Sequence, residues 1–154
     1  MISIQNEDFS LADEYTSIRS RAGDAGAIVT FIGLVREVYG LGSSAGAVQS
    51  LTLEHYPGMT EKCLRDIQQK ALDRWPLLAT SIIHRIGELY SHDQIVLVAT
   101  ASAHRQAAFE SAEFIMDYLK SEAPFWKKQK SENESNWIES RETDHATLDR
   151  WQKR

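Results

Sequence analysis

Cysteine is nearly absent from this chain: Cys63 stands alone among 154 residues. A single thiol rules out an internal disulfide and any multi-cysteine zinc site. Long apolar runs are missing as well. The longest, AIVTFIGLV, contains a threonine and is too short to span a bilayer. The opening MISIQNEDFS is acidic, so it lacks the basic start and apolar run of a secretory signal. Basic charge is in deficit, with Lys and Arg totalling 17 against 22 for Asp and Glu, a net charge of −5. That balance argues against a general nucleic-acid binder, which presents a basic face, but it leaves room for a local basic pocket. The expectation is a soluble, cytoplasmic protein with no nucleic-acid and no membrane partner.

What is present is an ordinary globular mixture, 42% hydrophobic and 25% charged, enough for one domain over 1–154 with a real core. DFSLADEYTSIRSRAGD predicts a short helix with Ser10 as N-cap and Gly23 as stop. GAIVTFIGLVRE reads as a buried strand, and Arg36 is the first charge after its apolar run. Residues 38–49, VYGLGSSAGAVQ, read as a mobile loop or lid; Gly40, Gly42 and Gly46 do not match a dinucleotide fingerprint. SLTLEHY alternates as a strand and ends at Pro57-Gly58. Met59, Cys63, Ile67, Ala71 and Trp75 then recur at helical spacing, which places Cys63 on the apolar face as a buried, inert thiol.

ATSIIHRIGELY and DQIVLVATASA predict two strands of a hairpin turning at Ser91-His92-Asp93. A long helix follows over about 103–123, with Phe109, Ala112, Met116 and Leu119 as core stripe, Ala108 and Ile115 beside it, and Pro124 as terminator. The remaining chain holds a short strand, NWIES, and a charged end that is helical or frayed. Helices and strands do not alternate strictly and hairpins are present. That favours an α+β sandwich with a mostly antiparallel sheet over a doubly wound parallel one.

The chemistry-bearing candidates are cations: Arg36, His104, Arg105, Lys120, Lys127, Lys128 and Arg141. Each has a plain alternative. Lys120 in a last helical turn is favoured by the helix dipole alone, and Arg141 in ESRETD has acids beside it for a surface pair. Their placement is more telling. His104 and Arg105 fall where a strand ends and the long helix begins, a natural anion site that Arg105 can extend with a bidentate fork. Lys120 lies roughly 22 Å further along a straight helix, so one compact anion cannot touch both ends. Beyond Pro124 the turn can fold Lys127 back toward Lys120, with Phe125 and Trp126 walling a dry pocket that eases proton loss. The five histidines show no metal spacing, and His84, within a strand and facing away from Arg85, reads as structural. No nucleophile elbow or catalytic triad pattern is present.

In order and spacing, TFIGLVR, LTLEHYPGM, IHRIGEL, SAHRQAAFE and FIMDYLKSEAPFWKK resemble the family of the large catalytic subunit of molybdopterin synthase, from about Gly26 to Arg141. The resemblance implies an α/β hammerhead fold and a homodimer flanked by two small ubiquitin-like sulfur carriers. The carrier's Gly-Gly tail, ending in a thiocarboxylate, would enter the large subunit's pocket. Sulfur would pass twice to cyclic pyranopterin monophosphate, forming the dithiolene of molybdopterin, with no cofactor or metal in the large subunit. Carried over by position, the essential lysines fall on Lys120 and Lys127. Substrate-binding residues fall on Arg36, His104 and Arg105, with Lys128 beside the second lysine, and Arg141 serves the neighbouring subunit. Many relatives have lysine in a Gly-Lys-Val-Arg stretch where this chain has GLVR; Leu34, with Val35 next to it, is left to meet substrate through its backbone. Two other classes fit the same cations: a non-catalytic sensor of a phosphorylated metabolite, and a dimer whose basic loop docks an acidic protein tail.

Overall fold

The computed structural model describes residues 1–36, 50–130, 135–138 and 146–154. Two four-stranded sheets organise them. In the first, β1 (Ile2–Gln5), β4 (Leu77–Arg85), β6 (Gln94–Ser102) and β2 (Ala27–Leu34) lie side by side in that order. β1 runs parallel to β4, and the other pairs are antiparallel. The second sheet has the order β5 (Gly87–Tyr90), β3 (Ser50–His55), β7 (Phe125–Lys130) and β8 (Ser135–Ile138), antiparallel throughout. The architecture is α+β with mostly antiparallel strands, as expected.

Helix α1 (Leu11–Ala22) covers one face of the first sheet. The Ser10 hydroxyl accepts a bond from the Asp13 N–H at 3.3 Å, and Gly23 closes the helix at φ 60°, as the sequence predicts. Its buried Ile18 and Ala22 pack with Ile83, Leu97, Ala99 and Ala101. Helices α2 (Met59–Arg74) and α3 (Arg105–Glu122) cover the other face, around Leu64, Ile67, Ile82, Val98, Phe114 and Ile115. A smaller core of Val35, Leu51, Leu53 and Leu89 lines the second sheet.

Several elements differ from the sequence reading. The stretch ATSIIHRIGELY is two strands, not one: β4 pairs antiparallel with β6 as the hairpin reading expects, but β5 is interposed between them and belongs to the other sheet, so the Ser91–Asp93 turn joins sheets. Gly87 makes the break, at φ 85° and with the Asn6 side-chain oxygen 2.9 Å from where a Cβ would stand. β2 is an edge strand, with Phe31 41% and Leu34 52% exposed. Periodicity cannot tell an apolar edge from an apolar centre.

On α2 the buried stripe is Thr60, Leu64, Ile67 and Ala71, so Met59 is exposed and Cys63 only partly buried. On α3, Phe109 is 61% exposed while Ala108, Ser111, Phe114, Ile115 and Tyr118 are buried. The chain end is anchored, not frayed: a short α4 (Asp149–Gln152) buries Trp151 against Trp75 and Phe114, and its indole donates to Asp117 at 2.7 Å. The 38–49 loop with its glycines, and Arg141, lie outside the described residues.

Candidate active site

The site begins at the start of α3. His104 is the N-cap in extended backbone, no side chain caps the helix, and the first turn holds no acid. The free N–H groups there and the exposed His104 and Arg105 form an anion-attracting end. Gly26 sets its position. The Gly26 N–H donates to the Ser102 carbonyl at 3.0 Å, and a Cβ on Gly26 would fall 2.2 Å from the Ala103 oxygen. Only glycine allows the two segments this close, a role the sequence reading missed because the contact partner is distant in the chain.

Arg36 projects from a pinned neighbour. Val35 is 2% exposed, its N–H donates to the Asp93 carbonyl at 2.9 Å, and its own carbonyl accepts from the His92 N–H at 2.8 Å. The Val35 backbone is therefore engaged within the fold, and its side chain belongs to the core of the second sheet. Leu34, at the register shift that follows Gly33, keeps an exposed side chain.

Lys120 lies exposed in the last turn of α3. The segment after Pro124 is strand β7, not a turn. Lys127 sits opposite Leu53 on β3, Phe125 opposite His55, and Lys128 opposite Thr52. Alternation puts Phe125 and Lys127 on one face, Trp126 and Lys128 on the other, so Phe125 and Trp126 do not wall a common pocket. Trp126 instead meets Tyr56 edge-on at 3.8 Å, and Lys127 and Lys128 are both exposed.

α2 buttresses this region. The Thr60 hydroxyl donates to the Pro124 carbonyl at 3.1 Å, the Cys63 thiol approaches the Glu122 carbonyl at 3.5 Å, and Lys70 pairs with Glu122 at 3.1 Å. Burial, with Glu122 next, pushes the Cys63 thiol pKa up, which favours the unreactive protonated form. Two clefts open nearby: about 430 Å³ along Lys62, Cys63, Asp66 and Lys70, and about 420 Å³ at Tyr15, Arg19, Gly23, Ala25, Gly26 and Ile28. Arg36, His104, Arg105, Lys120 and Lys127 line neither of them.

His84 is more involved than a satisfied strand residue. Its ring stacks on Phe125 with centroids 3.8 Å apart and planes inclined by 16°, and its Nδ1 lies 2.8 Å from the Arg85 carbonyl. Burial, with smaller effects of the Lys127 and His55 charges, pushes its pKa down to about 4. His84 is therefore neutral at pH 7. The ring stack could not be seen in the sequence, since 41 positions separate the partners.

The model of the MoaE protein family matches residues 4–122. The chain belongs to the MoaE family. A molybdopterin synthase catalytic subunit from Vibrio cholerae is 54% identical over 151 residues, covering 98% of this chain and 97% of the relative. The MoaE protein of Burkholderia ambifaria, a solved structure, is 47% identical with a TM-score of 0.84, covering 99% of this chain and 97% of its own. The crystal structure of molybdopterin synthase from Staphylococcus aureus is 33% identical with a TM-score of 0.79, covering 88% and 95%. As a MoaE chain, this protein is a molybdopterin synthase catalytic subunit with an enzymatic role in molybdenum cofactor biosynthesis.

Proposed function

We propose that this MoaE chain transfers sulfur from the thiocarboxylated Gly-Gly terminus of a small carrier subunit to cyclic pyranopterin monophosphate, once for each dithiolene sulfur. The observation that carries the reading is the uncapped, acid-free start of α3, with Arg105 beside it. This is the end suited to the substrate phosphate. His104 and Arg36 add polar and cationic reach, and Lys128 and Arg141 supply further positive charge. The two lysines act at the reacting carbonyl. Once the thiocarboxylate sulfur has bonded to a pterin side-chain carbon, water adds to the acyl carbon. An ammonium there stabilises the tetrahedral oxyanion, which then expels the pterin-bound sulfur and leaves the carrier as a carboxylate. Lysine can carry the protons exchanged here and as the phosphate ester opens. Leu34 and Val35 then serve as backbone neighbours of Arg36 rather than as ligands.

The separation along α3 between Arg105 and Lys120, roughly 22 Å, is too long for one compact ligand within one copy, so the pocket forms between two copies of the chain, the assignment of Arg141 to the neighbouring subunit being part of this reading. The pyranopterin and the carrier's thiocarboxylate must meet in that shared pocket, since sulfur transfer needs the reacting atoms in contact. Purified protein supplied with thiocarboxylated carrier and cyclic pyranopterin monophosphate is expected to yield dithiolene product. Lys120→Ala and Lys127→Ala should stay folded and lose turnover, and Arg105→Ala should raise the substrate KM. Near-normal turnover in both lysine variants refutes the assignment. Substrate binding with no dithiolene under any condition would point to a metabolite sensor. Carrier binding that ignores both thiocarboxylate and substrate would point to a docking module.

A further inference from the structure

His84 stands at the seam between the two sheets. It is contributed by β4 of the first sheet, where it pairs with Ile4 and Val96, whereas the ring it stacks on, Phe125, opens β7 of the second. Phe125 and Lys127 are two residues apart on the same strand, so they share a face. His55, the cross-strand partner of Phe125, flanks the same place and pairs with Glu61 at 3.4 Å. Both Lys127 and His55 are close enough to His84 to act on it electrostatically. A ring held by a strand carbonyl on its edge and by Phe125 on its face has little freedom to turn.

We propose that His84 is a positioning residue for Lys127, its flat ring fixing Phe125 and thereby the direction in which β7 presents the lysine. The inference rests on the sulfur-transfer reading above, and it assigns no proton transfer to the imidazole. With Nδ1 at the Arg85 carbonyl and its pKa near 4, the ring remains an uncharged platform at neutral pH. It therefore adds no charge of its own beside Lys127. Phe125 stacks on its face, and His55, paired with Glu61, and Lys127 act on it electrostatically.

The test is steady-state kinetics of the synthase reconstituted with thiocarboxylated carrier and cyclic pyranopterin monophosphate. His84→Ala should lower kcat about tenfold or more while the KM for the pterin, whose phosphate is assigned to Arg105, stays within about threefold. Phe125→Leu should repeat that split. His84→Phe, which restores a flat ring but no imidazole, should recover most of the lost turnover. Unchanged kcat in His84→Ala overturns the proposal, as does His84→Phe being as poor as His84→Ala. If His84→Ala does not fold, unchanged kcat in Phe125→Leu decides against it. An active Lys127→Ala protein strikes the lysine reading first and the positioning claim with it, so the two failures are told apart.

Discussion

Replacing Gly26 by alanine tests how the start of α3 is held. A Cβ there would stand 2.2 Å from the Ala103 oxygen and 3.2 Å from its carbonyl carbon, where real Cβ contacts essentially never fall below 3.0 Å. The obstacle is backbone, not a flexible side-chain tip. The two segments must therefore part by about 0.8 Å, the difference between 3.0 and 2.2. Gly26 is not among the residues at positive φ, so the demand for glycine is steric alone. Overpacking of this kind costs about 1–3 kcal/mol, and in a domain of this size each kcal/mol lowers Tm by roughly 2–4 °C. Strain would also stretch the bond from the Gly26 N–H to the Ser102 carbonyl.

Because residues 102–104 must move, His104 and Arg105 move with them. A misplacement near 1 Å can cost about a hundredfold in a bound, oriented reaction. Gly26→Ala is expected to lower Tm by several degrees and to raise the KM for cyclic pyranopterin monophosphate. Carrier binding, measured separately, should change little. A variant with wild-type Tm and wild-type KM would refute the argument that this close approach places the anion end of α3.

Other predictions concern the core, the pH response and the lone thiol. Trp151→Ala should destabilise the protein by about 3–5 kcal/mol in denaturant titration, because the indole is buried and its N–H bonds Asp117; a loss below about 1 kcal/mol would mean that the chain end is not anchored. His84, with its pKa lowered from 6.5 to about 4, binds a proton more readily in the unfolded chain. Its contribution is intact above pH 6.5 and is lost as pH falls toward 4, by at most about 3 kcal/mol. His84→Phe should flatten stability against pH between 7 and 5 by about 2 kcal/mol, and parallel wild-type and variant curves would contradict this. Cys63→Ser should keep full sulfur-transfer activity, since the thiol's pKa is raised and the carrier brings the sulfur; loss of turnover in a folded Cys63→Ser protein would make the thiol a participant.

The sequence by itself determined the local elements and the chemical inventory. Ser10 and Gly23 bound α1 because capping and positive φ are settled by one or two neighbouring residues. Pro57-Gly58 ends β3, and α3 runs up to Pro124, for equally local reasons. The apolar pattern and Pro124 placed His104 and Arg105 at a helix start and Lys120 in its last turn, where they are found. Tertiary structure decided everything that depends on what lies across a gap. It split ATSIIHRIGELY between two sheets, turned Phe109 outward, made FWKKQK a strand, and buried Trp151. It also brought His84 onto Phe125 and Gly26 against Ala103. Helical or strand periodicity says that a residue has a face. Only the packing of distant segments, driven by burial of apolar area and by the exclusion of overlapping atoms, says what that face meets.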